Sequence, residues 1–148
     1  MNTNHGQEDI ALSLKVFIAI SRVQRQLMDI SNRSVQTYGL NPTEFAVLEL
    51  VYHKGSQALQ QIGEKILIAS GSITYVVDKL EKKGLVIRQP SRRDRRVIYA
   101  ELTAKGHQLM DEIFPSHKVL LHEALSMLNS EEKQEILTLL KRIGNYQK

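Results

Sequence analysis

The stretch GSITYVVDKLEKKGLVIRQPSRRDRRVIYAELTAKG, Gly71 to Gly106, decides the fold. In its first third Ile73, Val76, Val77 and Leu80 recur at helical spacing, which predicts a helix that runs to Gly84 with Ser70 as its N-cap. Geometry then fixes the opposite face: Ser72, Tyr75, Lys79 and Lys82, with Ser70, Gly71 and Thr74 near its N-terminus. After Gly84 the runs Leu85–Gln89 and Arg96–Thr103 are β-prone, the second alternating so that Ile98, Ala100 and Leu102 share a face. Pro90, Ser91, Arg92, Arg93, Asp94 and Arg95 between them are polar turn residues. A hairpin is expected, with its arginines held out at the tip and away from the core.

Upstream, residues 8–35 contain neither proline nor glycine, and Val16, Ile20, Val23, Leu27 and Ile30 recur every three or four positions. Ile10, Leu14 and Phe17 add a second apolar set, so this first helix needs more than one neighbour. Tyr38-Gly39 closes it. Asn41-Pro42-Thr43-Glu44 reads as a capping box with proline at the first helical position, opening a second helix that carries Phe45, Leu48, Val51 and Tyr52 inward until His53-Lys54-Gly55. Gln60–Leu67 is a short third helix, joined by Ile68-Ala69 to the one at Ser70. Downstream, Thr103 caps a helix that meets Pro115 and must kink or break there. It resumes over HKVLLHEALSML. Ser130, with Glu131 and Glu132, starts a last helix whose apolar side is Ile136, Leu139, Leu140 and Ile143.

The chain has 148 residues, enough for one domain with a real core. Its net charge of +4 is mild, but its distribution is not. Lys82, Lys83, Arg88, Arg92, Arg93, Arg95 and Arg96 stand against Asp94 alone, so the segment 82–96 exceeds the charge of the whole chain and the remainder is slightly acidic. Four arginines on a short turn repel one another unless something anionic joins them. The absence of cysteine excludes disulfides, thiolate metal sites and thiol redox sensing. MNTNHGQEDI has no basic region followed by an apolar core, and no run is long enough to cross a bilayer, so a cytoplasmic protein is expected, its short polar N-terminus frayed.

Two short helices joined by a tight turn, the second small and polar at its N-terminus and basic outside, then an arginine-tipped hairpin, make a winged helix-turn-helix. Backbone N–H groups and hydroxyls at Ser70, Gly71 and Ser72 suit phosphates or base edges. Tyr75 and Lys79 lie one and two turns along the face that would enter the major groove. A narrow arginine hairpin suits the negative potential of the minor groove. The expected fold is mainly α: a winged helix-turn-helix over 41–103 with a two-stranded wing, and helices over 8–36 and 104–148 forming a dimerisation region, in one domain spanning 1–148.

The Gly71–Gly106 stretch resembles the recognition helix and wing of the multiple-antibiotic-resistance regulator (MarR) family. There an aspartate, any residue and an arginine precede a strand ending in Leu-Thr-x-x-Gly, positions held here by Asp94, Arg96, Leu102, Thr103 and Gly106. The helix order matches over nearly the whole chain, Pro115 being a departure. The resemblance implies a homodimeric bacterial transcription regulator, usually a repressor, that binds a palindromic operator in double-stranded DNA and is released by a small, often phenolic ligand. It also implies that Asp94 braces Arg96 by an ion pair. LKVFIAISR and NPTEFAVLELVYHKGSQALQQIGEKILIASGSITYVVDKLEKKGLVIR are further similar to the subgroup that responds to quinones and catechols.

Plainer readings stand beside these. Lys82 and Lys83 at a helix end also complement its dipole. Tyr75 falls opposite Ile73 and Leu80, which favours exposure. Phe17, Tyr38, Phe45 and Tyr52 are candidates to line an effector pocket between the first two helices, or else core aromatics. His5, His53, His107, His117 and His122 show no metal-ligand spacing. Neither GxxxxGK, HExxH nor GxSxG occurs, so neither cofactor nor catalysis is expected. The alternative to a DNA-binding regulator is a winged-helix interaction module docking its arginine hairpin on an acidic partner.

Overall fold

The computed structural model describes residues 3–66 and 70–145, less the side chains of Thr3, Ser70 and Gly71. The turn at 67–69 and the cap expected of Ser70 lie outside the described residues.

Helix α1 spans Thr3–Gln36, α2 Pro42–Lys54, α3 Leu59–Lys65, α4 Ser70–Lys82, α5 Ala104–Ala124 and α6 Ser130–Asn145; the strands are β1 Gln57–Ala58, β2 Val86–Pro90 and β3 Ile98–Leu102. The architecture is therefore mainly helical, with a small antiparallel sheet in the order β1-β3-β2. Strand β3 pairs with β2 from Val86↔Leu102 to Pro90↔Ile98, and with β1 at Gln57↔Ala100 and Ala58↔Tyr99. Pro90 is tolerated because it ends an edge strand, where a missing N–H leaves no ladder partner short. Among the described residues no helix is long and apolar enough to cross a membrane.

Local chemistry accounts for most boundaries. Asn41 Oδ1 accepts from the Glu44 N–H at 2.8 Å while Glu44 Oε1 accepts from the Asn41 N–H at 3.2 Å, so the capping box is complete. Gly84, with φ of 75°, ends α4 in the left-handed region, and the Leu85 N–H returns to the Leu80 carbonyl at 3.0 Å. Thr103 caps α5 through the Gly106 N–H. The core gathers Leu48, Ile62, Ile73, Leu80, Met110 and Ile113, drawn from α2 to α5. From α1 only the C-terminal end joins, at the fully buried Val35, and α6 buries nothing. The expected stripe on α1 is exposed at Val16, Ile20 and Val23 and half-buried at Leu27 and Ile30.

Three expectations need correction. The first helix extends to Thr3 where a frayed end was expected. Two strands were expected and three are present: β1, only two residues long, fills the second edge of β3. Pro115 does not break α5, which continues through it to Ala124. Met110 and Ile113 before it and His117 after it are buried, and these anchors outweigh the ~3 kcal/mol that an interior proline costs. The last helix starts at Ser130 as expected, and Asn129 before it is the cap, exchanging bonds of 2.9 and 3.0 Å with Glu132.

Candidate nucleic-acid interface

Helix α4 is amphipathic because its apolar residues keep the helical period. Ile73, Val76, Val77 and Leu80 are buried, which turns Ser72, Thr74, Tyr75 and Lys82 to solvent with Lys79 half-buried beside them. Tyr75 is 61% exposed, a large ring with no place in the core. The Lys79 ammonium lies 4.8 Å from its centroid, so ring and cation present one amphipathic surface.

The wing tip is built by short-range bonds. Ser91 Oγ accepts from the Arg93 and Asp94 N–H groups, and the Ser91 N–H donates to the Val97 carbonyl at 2.8 Å. Asp94 is thereby set to face Arg96, whose backbone N–H and Nε each donate to Oδ1 at 3.1 Å while Nη2 donates to Oδ2 at 3.3 Å. These bonds hold the Asp94 carboxyl below the usual carboxylate range. The Arg96 side chain is 91% exposed, so its guanidinium is ordered without being buried. Arg92, Arg93 and Arg95 are exposed around it. Arg96 and Thr74 line one cleft of about 640 Å³ between α3, α4 and the wing, so helix and wing present their polar groups on the same side.

Gln60 and Gln61 share that cleft, and Ser91 organises the tip. None of the three carries a role legible in the sequence, since isolated polar residues, two on the short α3 and one in the wing turn, make no pattern.

Two basic residues of the 82–96 segment turn inward instead. Lys83 Nζ donates to Glu44 Oε2 at 2.6 Å and to the Gly39 carbonyl at 3.0 Å. Arg88 pairs with Asp78 and donates to the Thr74 carbonyl, binding β2 against α4.

Of the four aromatics expected around an effector pocket, Phe17 stands apart, while Phe45 lies in the core cluster and Tyr38 and Tyr52 pack against it. Phe17 is 66% exposed on α1, about 27 Å of helix before Val35. Phe45 is core, its ring 4.7 Å from that of His117. Tyr38 packs half-buried against the core. Tyr52 is half-buried, donating its hydroxyl to Asp111 at 2.5 Å beside the rings of Phe114 and His107; that bond raises its pKa. His117 is buried, its Nδ1 3.0 Å from Ser34 Oγ, and burial lowers its pKa against a weaker upward pull from Glu49. Among the described residues no group of three or more metal-ligating side chains occurs.

A profile described as the MarR family matches residues 40–98, from the start of the helix-turn-helix into the wing. The HTH-type transcriptional regulator MhqR of Bacillus subtilis (strain 168) is 57% identical over 89% of this chain and 91% of its own. The uncharacterised HTH-type transcriptional regulator YkoM of the same organism is 39% identical over 97% and 94%. Among solved structures, the transcriptional regulator BldR from Sulfolobus solfataricus superposes with a TM-score of 0.82 at 27% identity, covering 93% of this chain and 97% of its own. With the exposed polar face of α4, the ordered wing arginine and these relatives, the chain belongs to the MarR family and is a DNA-binding transcription regulator.

Proposed function

We propose that the protein is a homodimeric repressor that reads a palindromic operator and leaves it when a small aromatic ligand of the phenol or quinone class binds. The observation that carries the DNA-reading part is the common orientation of Thr74 on α4 and the braced Arg96 on the wing. In this reading Ser70, Gly71, Ser72, Thr74, Tyr75, Lys79 and Lys82 enter the major groove, and the wing, Arg92, Arg93, Arg95 and Arg96 with Asp94 as brace, lies over the minor groove. An acidic protein partner accounts less well for so specific a pairing of helix and wing. Binding, not catalysis, is the activity, and its place is the cytoplasm, where the chromosome is.

The dimer is supported by unpartnered apolar surface. Val16 and Ile20 of α1 and Ile136, Leu139, Leu140 and Ile143 of α6 line an open cleft of about 670 Å³, all of them exposed. A two-fold axis through this region covers both helices at once. It also presents two α4 helices about one turn, ~10 bp, apart on one side of the duplex. The ligand class rests on the subgroup resemblance. Tyr38 and Tyr52, half-buried at the edge of the core, are the pocket candidates that remain.

Sedimentation and DNA selection together test this. A dimer at micromolar concentration is expected, with a preferred palindrome recovered from the DNA upstream of the protein's own gene and weakened by added phenols or quinones. A monomer at that concentration refutes the dimer, and equal binding to random duplex refutes sequence reading.

A further inference from the structure

We infer that Lys83 and Glu44 form a strut that sets the tilt of the recognition helix, so that Lys83, although part of the most basic segment of the chain, is a positioning residue and not a phosphate contact. The inference rests on α4 being the reading helix. Lys83 follows directly on α4, and its ammonium reaches back to the corner between α1 and α2, bonding Glu44 Oε2 at 2.6 Å and the Gly39 carbonyl at 3.0 Å. The Glu44 side chain is 4% exposed, and its other oxygen is engaged by the Asn41 N–H. A carboxylate so buried needs its cation: with Lys83 removed, an unpaired charge is left in the core and the corner must rearrange to hydrate it.

The same turn is held from its other side. Lys105 Nζ donates to the Lys83 carbonyl at 2.9 Å and Thr103 Oγ1 to the Gly84 carbonyl at 2.6 Å. The C-terminal end of α4 is thus pinned between α5 and the α1–α2 corner, while its N-terminal end projects toward the DNA. A 13-residue helix is roughly 20 Å long, so a tilt of about 5° at the pinned end moves the other by roughly 1.5–2 Å. That exceeds the ~0.5 Å within which a preorganised site must be held. The strut therefore acts on specific contacts, which need register, far more than on phosphate attraction, which does not.

The test measures binding of the full-length protein to its selected operator and to a scrambled duplex of equal length, at several salt concentrations, with active protein counted by stoichiometric titration. Lys83→Met and Glu44→Gln should each weaken operator binding on the order of tenfold, the scale of residues that act on a site through packing. Binding to the scrambled duplex and the salt slope should not change, since no phosphate contact is lost. The double variant should be no weaker than the weaker single, because no orphan charge remains, and Lys83→Arg should retain most of the affinity. The inference is overturned if Lys83→Met weakens both duplexes alike and flattens the salt slope while Glu44→Gln is neutral, for Lys83 is then a phosphate contact. It is equally overturned if thermal stability falls while operator affinity per active protomer does not. Failure of the wild-type protein to distinguish the two duplexes would instead sink the reading-helix assignment, and the strut with it, before any variant is made.

Discussion

Gly106→Ala tests how closely α5 approaches the turn that ends α4. A Cβ at position 106 would lie 2.1 Å from the Leu85 carbonyl oxygen, 3.1 Å from the Leu85 carbonyl carbon and 3.1 Å from Leu102 Cδ2. Ordinary contact begins near ~3.5 Å, so the first distance is short by more than an ångström. The obstacle is backbone, and it is held: the Leu85 carbonyl accepts from the Thr103 N–H at 3.0 Å, one residue from the left-handed Gly84. Overpacking of this kind costs ~1–3 kcal/mol, and a rigid obstacle puts it at the upper end. Alanine returns ~1 kcal/mol of helix propensity. The net loss is about 2 kcal/mol, which lowers Tm by roughly 4–8 °C for a chain of this length. Thermal unfolding followed by circular dichroism at one fixed protomer concentration reads it, concentration being fixed because association shifts Tm. Gly6→Ala, where a Cβ meets nothing within 4 Å, is the control and should not lower Tm. A Tm for Gly106→Ala equal to or above wild type would refute the argument and show that α5 can lift from the turn at little cost.

Two further outcomes follow from the wing and the core. Asp94→Ala should weaken operator binding although it removes a negative charge beside the phosphates, because Arg96 loses the partner that orders it. Arg92→Ala, measured beside it, should mainly flatten the salt slope by ~0.9. Tighter binding by Asp94→Ala would reduce the aspartate to a turn residue. The pKa of His117 is lowered from its ordinary 6.5 by burial, so the folded protein favours the neutral ring. Its contribution to stability is complete above pH 6.5 and is lost as pH falls from there through the folded pKa, with a slope of at most ~1.4 kcal/mol per pH unit. Urea denaturation from pH 8 to 5 should show wild type losing stability faster than His117→Leu; parallel curves would refute it.

Helix α4 and the wing were legible as elements because their information is local. Ile73, Val76, Val77 and Leu80 fix the buried face of α4 by period alone, and the Asn41–Glu44 box and Thr103 fix helix starts by side-chain chemistry within three residues. What the sequence hid depends on partners far along the chain. Lys82 and Lys83 are adjacent and chemically identical, yet one faces solvent and the other meets Glu44, 39 residues earlier. Glu44 itself reads as a cap residue, with nothing local to show that its second oxygen is buried. Strand β1 has two residues, too few for an alternation to register. Pro115 misleads because propensity argues for a break, while the burial that overrides it comes from contacts across α1 and α2, such as His117 with Ser34 and Phe45.

The titrating groups also separate the wing from the body that carries it. Asp94 is held ionised by Arg96 below the usual carboxylate range, so the wing keeps its geometry throughout the neutral range and into mild acid. His117 lies at the opposite extreme: burial favours a neutral imidazole where α1 meets α5, bonded to Ser34 and tilted against the ring of Phe45 of α2, with Glu49 as the acidic group that draws its pKa upward. Acidification through the lower part of the histidine range therefore loads a charge into the joint between the helices of the proposed dimer region and α2, while leaving Asp94 and Arg96 as they were. A fall in operator affinity over that range is then not due to a change of charge at Asp94 or Arg96. Because Lys83 links the α1–α2 corner to α4, such a disturbance has a physical path to α4 that does not run through the charge of the wing.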